Sequence, residues 1–152
     1  MEPPEALPVD RRTSLEYVIN HLARLMEQAL RDRIAEYGVV PGQFAQLLAL
    51  YEKDGIAQNE LCEKVRIDQS TMAHTLKRME RDGLILRTAD PADGRRALIH
   101  LTDRARELQG PLVAAALDVN AIATAGFPDP QEEHFLRMAR RAIGNLDADR
   151  AG

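Results

Sequence analysis

The 152-residue chain has the length of one domain, or of one domain with added dimerisation helices, and 45% hydrophobic residues are enough for a core. No window approaches the roughly 18 consecutive apolar residues of a membrane helix. The N-terminus is charged and proline-rich without an apolar signal segment, so we expect a cytoplasmic protein without membrane contact. The net charge of −4 is uneven: residues 57–106 carry +2 and the remainder −6. This asymmetry favours a DNA-facing side.

The first third of the chain predicts an arm followed by a helix. Residues 1–12 are expected to form a flexible arm. Thr13 and Glu16 fit a capping box with Thr13 as the N-cap. Apolar residues then recur at helical spacing and predict a first helix that ends near Tyr37.

Three further helices are predicted before residue 83. Pro41 suits the first position of a second helix, which ends by Gly55. A short third helix is expected over about residues 58–65. The fourth, over about residues 69–82, has apolar residues on one face and ends at Gly83.

The segment after the fourth helix predicts a charged β-hairpin. Leu84-Ile85-Leu86 forms a short apolar strand, residues 90–96 form the tip, and residues 97–101 form the returning strand. Such a hairpin behind an amphipathic helix is typical of a winged helix-turn-helix, with the helix in a major groove and the hairpin reaching the adjacent groove or backbone.

Two helices are predicted after the hairpin. Thr102 can cap a long helix that Pro111 should bend. Asp129 is expected to cap a last helix, with Pro130 at its first position and Glu132 at its third. The first and last helices are too apolar for their outer faces to remain bare, so we expect them to pair with a second copy.

These features resemble the MarR family of bacterial transcription regulators. The resemblance runs from about Leu15 to Leu146, and its most specific part is the tip motif Asp90-Pro91 through Arg96. Upstream, Pro41-Gly42-Gln43-Phe44 and Asn59-Glu60-Leu61 also fit. Arg66 stands where many helix-turn-helix proteins have Gly, and a positive φ there would cost on the order of 1 kcal/mol.

The resemblance implies a mainly α fold with a small β-hairpin wing, built as one folded unit. Its parts are the flexible arm of residues 1–12, a winged helix-turn-helix DNA-binding lobe over residues 38–101, and dimerisation helices over residues 13–37 and 102–148.

Helix geometry divides the fourth helix into two faces at about 100° per residue. Met72, Leu76 and Met79 point to the core. The N-terminal part of such a helix meets base edges and later cations suit phosphates. The candidate DNA-binding residues on this helix are Gln69, Ser70, Thr71, Ala73, His74, Lys77, Arg78 and Arg81. A merely solvated polar face is the alternative interpretation.

Two arginines at the hairpin tip complete the predicted DNA-binding set. In the family, the arginine in the position of Arg95 enters the minor groove, where the potential is negative. Asp93 would orient an arginine or brace the turn. Arg96 would pair with Asp90, with Asp93 or with a phosphate. Turn chemistry alone explains Asp93-Gly94, but it does not explain two successive arginines.

The remaining candidates concern chemistry other than DNA binding. Cys62 is the single cysteine and is interpreted as a packed thiol, with a redox sensor as the alternative. No metal-ligand spacing, no catalytic set and no phosphate loop is recognisable, so we expect no cofactor, no metal and no enzyme activity. By analogy with the family, a small aromatic or amphipathic effector would bind near His21, Phe44 and Tyr51.

We therefore interpret the sequence as a homodimeric, ligand-responsive transcriptional regulator, expected to be a repressor, that binds double-stranded DNA at a pseudo-palindromic operator. Half-sites would lie about 10 bp apart. The alternative is a winged-helix protein-interaction module that does not bind DNA. Such modules usually lose the outward Lys/Arg residues and the wing arginines, which this chain keeps.

Overall fold

The fold is known from a computed structural model that describes Met1 and residues 10–152. The predicted arm of residues 1–12 falls mostly on residues 2–9, which lie outside this part. Over the described residues the elements are α1 (Leu15–Ile34), a 3₁₀ turn (Ala35–Tyr37), α2 (Pro41–Glu52), β1 (Ile56–Ala57), α3 (Gln58–Val65), α4 (Gln69–Arg81), β2 (Ile85–Ala89), β3 (Ala97–Leu101), α5 (Asp103–Glu107), α6 (Gln109–Ala123) and α7 (Gln131–Ala151).

The predicted mainly helical fold with a hairpin wing is confirmed. In the described residues, no helix combines the length and apolar character needed to cross a bilayer. A single core unites α2, α3, α4, the strands and the start of α6. Its fully buried large side chains are Ile34, Leu47, Leu50, Ile56, Leu61, Met72, Leu76, Met79, Leu84, Ile85, Ile99 and Leu112.

The capping box predicted for α1 is wrong. Ser14, not Thr13, is the N-cap residue, and its side chain makes no capping hydrogen bond. The Thr13 hydroxyl instead donates to the backbone oxygen of Asp10 at 3.3 Å. The backbone N–H groups of Thr13 and Ser14 donate to that same oxygen. Thr13 therefore belongs to a turn anchored on Asp10 that precedes the helix, and the N-cap position falls one residue later, on Ser14.

The turn between α3 and α4 contains the unusual backbone that the sequence indicated. Arg66 has φ 63° and ψ 45°, in the left-handed region that favours glycine. Its N–H and that of Ile67 both donate to the Cys62 oxygen, which closes α3. Asp68 then caps α4 by accepting from the Thr71 N–H at 2.7 Å. This hydrogen bond lowers the pKa of Asp68.

The wing is part of a three-stranded antiparallel sheet in the order β1-β3-β2. The sequence predicted only the hairpin, because a two-residue strand has too few positions to show alternation. Ile99 in the central strand β3 is paired with Ile56 of β1 on one side and with Arg87 of β2 on the other. Strand β1 thereby ties the start of α3 to the wing.

The single long helix predicted after the wing is wrong, since α5 and α6 are separate helices. They meet at Leu108, whose ψ is −11°. Pro111 lies in the first turn of α6, where an N–H has no partner within the helix. A proline ring clashes with the carbonyl four residues earlier, here that of Glu107, so the helix breaks at that point. Thr102 caps α5 as predicted.

The cap predicted for the last helix is also wrong. Pro130 occupies the N-cap position of α7, and the Asp129 side chain makes no capping hydrogen bond. The backbone oxygen of Pro128 accepts from the Gln131 N–H at 2.7 Å. The first free donor of α7 is therefore satisfied by the backbone rather than by a carboxylate.

Polar contacts fix the end of α4 against its neighbours. Gln43 in α2 donates to Asp82 at 2.9 Å and accepts from the Val40 N–H at 3.2 Å. Arg104 donates to the backbone oxygens of Asp82 and Tyr37 at 2.6 and 2.7 Å. These bonds hold the C-terminal end of α4 at a set angle to α2 and α5.

Candidate nucleic-acid interface

Helix α4 presents one apolar and one polar face, as predicted. Met72, Leu76 and Met79 are fully buried. Every other side chain of the helix is exposed except that of Thr75. The proposed DNA-binding residues therefore share a solvent-facing surface, namely Gln69, Ser70, Thr71, Ala73, His74, Lys77, Arg78 and Arg81.

The second half of this surface is strongly basic. His74, Lys77, Arg78 and Arg81 line a shallow depression together with Glu80. Arg81 also lies 3.3 Å from Asp82. Three permanent cations within five residues, at one end of an exposed helix, produce a positive local potential.

The wing tip is built by aspartate-centred turns. The Asp90 carboxylate accepts from the Ala92 N–H at 2.9 Å, and the Asp93 carboxylate accepts from the Arg95 N–H at 3.1 Å. The Arg95 side chain is 95% exposed, and its Nε lies 3.5 Å from Asp93. Arg96 is half-exposed with its Nε 3.9 Å from Asp90. Each aspartate thus braces the turn and stands beside one arginine.

The structure also contains a series of hydrogen-bonded polar side chains that was not predicted from the sequence. Gln58 donates to Gln69 and accepts from Arg87, both at 3.3 Å. Arg87 also lies 3.7 Å from Glu80. The sequence offered one indication, because Arg87 interrupts an otherwise apolar or neutral strand. Its partners are remote in sequence and local patterns do not identify them.

In the part of the chain that the structure describes, the three residues suggested for an effector site lie in different surroundings. Phe44 is buried in the core cluster and Tyr51 packs against it. The Tyr51 hydroxyl donates to the Ala105 oxygen at 2.6 Å. His21 is exposed on α1, where its ring centroid lies 6.5 Å from that of Tyr17. Gln46 is buried next to this core, and its Oε1 has no hydrogen-bond partner among the described residues.

Cys62 lies in the core cluster at 7% exposure. Burial raises the pKa of its thiol, and the nearby negative charge of Asp68 adds to the effect. A raised pKa disfavours the reactive thiolate at neutral pH. In the described part of the chain, no group of three or more His, Cys, Asp or Glu residues is placed to hold a metal ion.

The sequence is similar to those of known transcriptional regulators. Residues 40–97 match the family model described as MarR family. The transcriptional regulator HosA of Escherichia coli O111:H- is 30% identical over 101 residues, which cover 66% of this chain and 75% of HosA.

Solved structures are similar over nearly the whole chain. The PcaV transcriptional regulator from Streptomyces coelicolor, solved in complex with its natural ligand, superposes with a TM-score of 0.82 at 27% identity. The match covers 91% of this chain and 98% of PcaV. A MarR transcriptional regulator from Methanosarcina mazei Go1 gives a TM-score of 0.79 at 27% identity, covering 86% and 94% of the two chains. By sequence and by structure, the chain belongs to the MarR family of DNA-binding transcriptional regulators.

Proposed function

We propose that this regulator binds a pseudo-palindromic operator as a homodimer and acts as a repressor that a small ligand releases. The observation that supports it most is the division of α4. Its apolar face is fully buried, and its opposite face is exposed and basic. A helix held in this way can enter a major groove without disturbing the core.

The two ends of α4 have different proposed roles. Gln69, Ser70, Thr71, Ala73 and His74 lie in the first half, which meets base edges in helix-turn-helix proteins, and would contact bases or the adjacent backbone. Lys77, Arg78 and Arg81 would contact phosphates, because a cationic side chain there gains affinity without distinguishing sequences.

The wing would contact the neighbouring groove through Arg95. An arginine that is almost fully exposed at the apex of a hairpin can enter a narrow minor groove, where its charge meets a negative potential. Arg96 would contact a phosphate from the base of the tip. Asp93 and Asp90 would keep both side chains directed outward.

Dimerisation is proposed from the bare apolar surface of the terminal helices. Helix α7 has 21 residues and none is buried, and such a helix needs packing of an apolar face to be stable in water. At about 100° per residue, its large apolar side chains share one face. The exposed large apolar residues of α1, α6 and α7 are Leu15, Tyr17, Val18, Ile19, Leu25, Leu117, Ile122, Phe135, Leu136, Met138, Ile143 and Leu146.

Ligand release is proposed from the similarity to PcaV, which was solved with its natural ligand. A small aromatic or amphipathic effector would bind between the DNA-binding lobe and the dimerisation helices and change the spacing of the two lobes. His21, Phe44 and Tyr51 are the candidate contacts. Because Phe44 is buried in the core and Tyr51 packs against it, an effector must open the packing around them or reach them from a cleft that the second chain completes.

Selection of DNA from a random-sequence pool by the full chain tests the operator proposal. We expect enrichment of an inverted repeat whose half-sites lie about 10 bp apart. Enrichment of a single half-site, or of no sequence, would contradict the proposal.

Sedimentation at micromolar concentration tests the assembly with a matched pair of variants. Leu146→Glu introduces a charge into the apolar face of α7 and should produce monomers. Ala148→Glu introduces the same residue on the opposite side of the helix, about 200° away, and should remain dimeric. A wild-type chain that sediments as a monomer, or equal behaviour of the two variants, would place the interface elsewhere.

A further inference from the structure

A series of hydrogen-bonded polar side chains links the start of α4 to the wing. Gln69, at the first position of α4, accepts from the Nε2 of Gln58 at 3.3 Å. The Oε1 of Gln58 accepts from the guanidinium of Arg87 at 3.3 Å. Arg87 lies 3.7 Å from the carboxylate of Glu80 in the last turns of α4. The order Gln69–Gln58–Arg87–Glu80 therefore joins α3, β2 and both ends of α4.

The sheet explains why these residues meet. Ile99 of β3 is paired with Arg87 of β2 and with Ile56 of β1. Residues paired across neighbouring strands point to the same face of the sheet, so all three side chains share one face. Ile56 and Ile99 are buried on that face. Arg87 is on the edge strand, and its side chain, 31% exposed, reaches α4 from there. Gln58 follows β1 directly, at the first position of α3.

Hydrogen-bond chemistry fixes the orientation of the side-chain amides of Gln58 and Gln69. Arginine can only donate hydrogen bonds, so the oxygen of Gln58 must face Arg87. The NH₂ group of Gln58 is then directed at Gln69, which must accept this hydrogen bond through its side-chain oxygen. Among the described residues, the NH₂ group of Gln69 then has no acceptor, and it lies on the exposed surface. The carboxylate of Glu80 strengthens the arrangement by holding and polarising Arg87.

We propose that Gln58 is a positioning residue for DNA recognition, which holds Gln69 so that its NH₂ group is presented to the base edge. This proposal rests on the proposed function, in which the first turn of α4 meets bases. The operator position that Gln69 contacts should then prefer guanine or thymine, whose O6 and O4 accept hydrogen bonds where adenine and cytosine carry the donor groups N6 and N4.

The test uses the full chain, its selected operator and the set of single-base changes in one half-site. Gln69→Ala identifies the position, because its preference should be lost there and kept elsewhere. Gln58→Ala should weaken the preference at that same position by about tenfold. In a Gln69→Ala background, Gln58→Ala should change the base preference no further, because its effect passes through Gln69.

Gln58→Glu gives a sharper readout. A carboxylate can still accept from Arg87, but it cannot donate to Gln69. Gln69 should then turn its amide, donate to the new carboxylate and present its oxygen. The preference should move toward a base with a donor, the N6 of adenine or the N4 of cytosine.

Asn59→Asp is the matched control, since it adds the same charge one residue further along α3. It should weaken binding to all operator variants by one common factor. If Gln58→Glu and Asn59→Asp give the same uniform loss, or if Gln58 and Gln69 affect different positions, the positioning role is refuted while operator recognition stands. If the wild-type chain shows no base preference at all, the proposed function fails and this inference fails with it. Thermal melting of Gln58→Ala and Gln58→Glu confirms that each folds.

Discussion

Removal of the Arg95 side chain should weaken operator binding and leave folding intact. The side chain is 95% exposed, and its one described ion pair, with Asp93, spans 3.5 Å in contact with solvent. Such a pair contributes little to stability, so the effect should appear almost entirely in DNA affinity. Loss of a specific arginine contact costs about 1–3 kcal/mol, equivalent to about a 5- to 150-fold rise in Kd for each wing that contacts DNA.

Fluorescence anisotropy with a labelled operator at one fixed salt concentration measures this change. Arg95→Lys should give an intermediate loss, because an ammonium is more strongly hydrated than a guanidinium and enters a narrow groove less well. Arg150→Ala removes the same charge from the end of α7 and should bind nearly as the wild type does. Unchanged affinity for Arg95→Ala, or an equal loss for Arg150→Ala, would refute a specific wing contact.

Two further substitutions test packing and thiol chemistry. Thr102→Val should lower the free energy of unfolding in urea by about 2 kcal/mol, because the hydroxyl accepts from the Ala105 N–H and donates to the Gly83 oxygen. Thr102→Ser keeps both bonds and should stay close to the wild type; an equal loss would contradict the assignment. Cys62→Ser should cost about 1–3 kcal/mol through a buried hydroxyl, and peroxide should leave wild-type DNA binding intact because burial raises the thiol pKa. Binding that peroxide abolishes in the wild type but not in the Ser variant would establish a sensor instead.

Local signals located the helices and the hairpin because each has a periodic apolar face or a turn motif within a few residues. Pro41, Thr102 and the face of Met72 are examples in which the local chemistry and the structure agree. Local signals failed where two of them competed. The cap predicted at Thr13 does not form, because Thr13 belongs to a turn on Asp10 and the N-cap position falls on Ser14. The bend expected at Pro111 became a full break because the ring acts on the residue four positions earlier.

The polar parts of the candidate site could not be predicted in the same way. Gln58 meets Gln69 across 11 residues and Arg87 across 29, and both contacts depend on the register of the sheet. No periodicity in a single sequence encodes such pairings. The residue types that face DNA could be predicted from helix geometry, whereas the contacts that orient them depend on the assembled fold.

The distribution of acidic residues explains how a chain with net charge −4 can present a DNA-binding surface. Many acids of residues 57–106 are used inside the lobe. Asp68 caps α4, Asp82 accepts from Gln43, and Asp90 braces the wing. Among the described residues, neither Lys77 nor Arg78 takes part in an ion pair within 4.0 Å, so their charges remain available to phosphates. The count of +2 for this segment therefore understates the positive potential on α4, because several of the acids are engaged by neighbouring hydrogen-bond donors, whereas the charges of Lys77 and Arg78 are exposed.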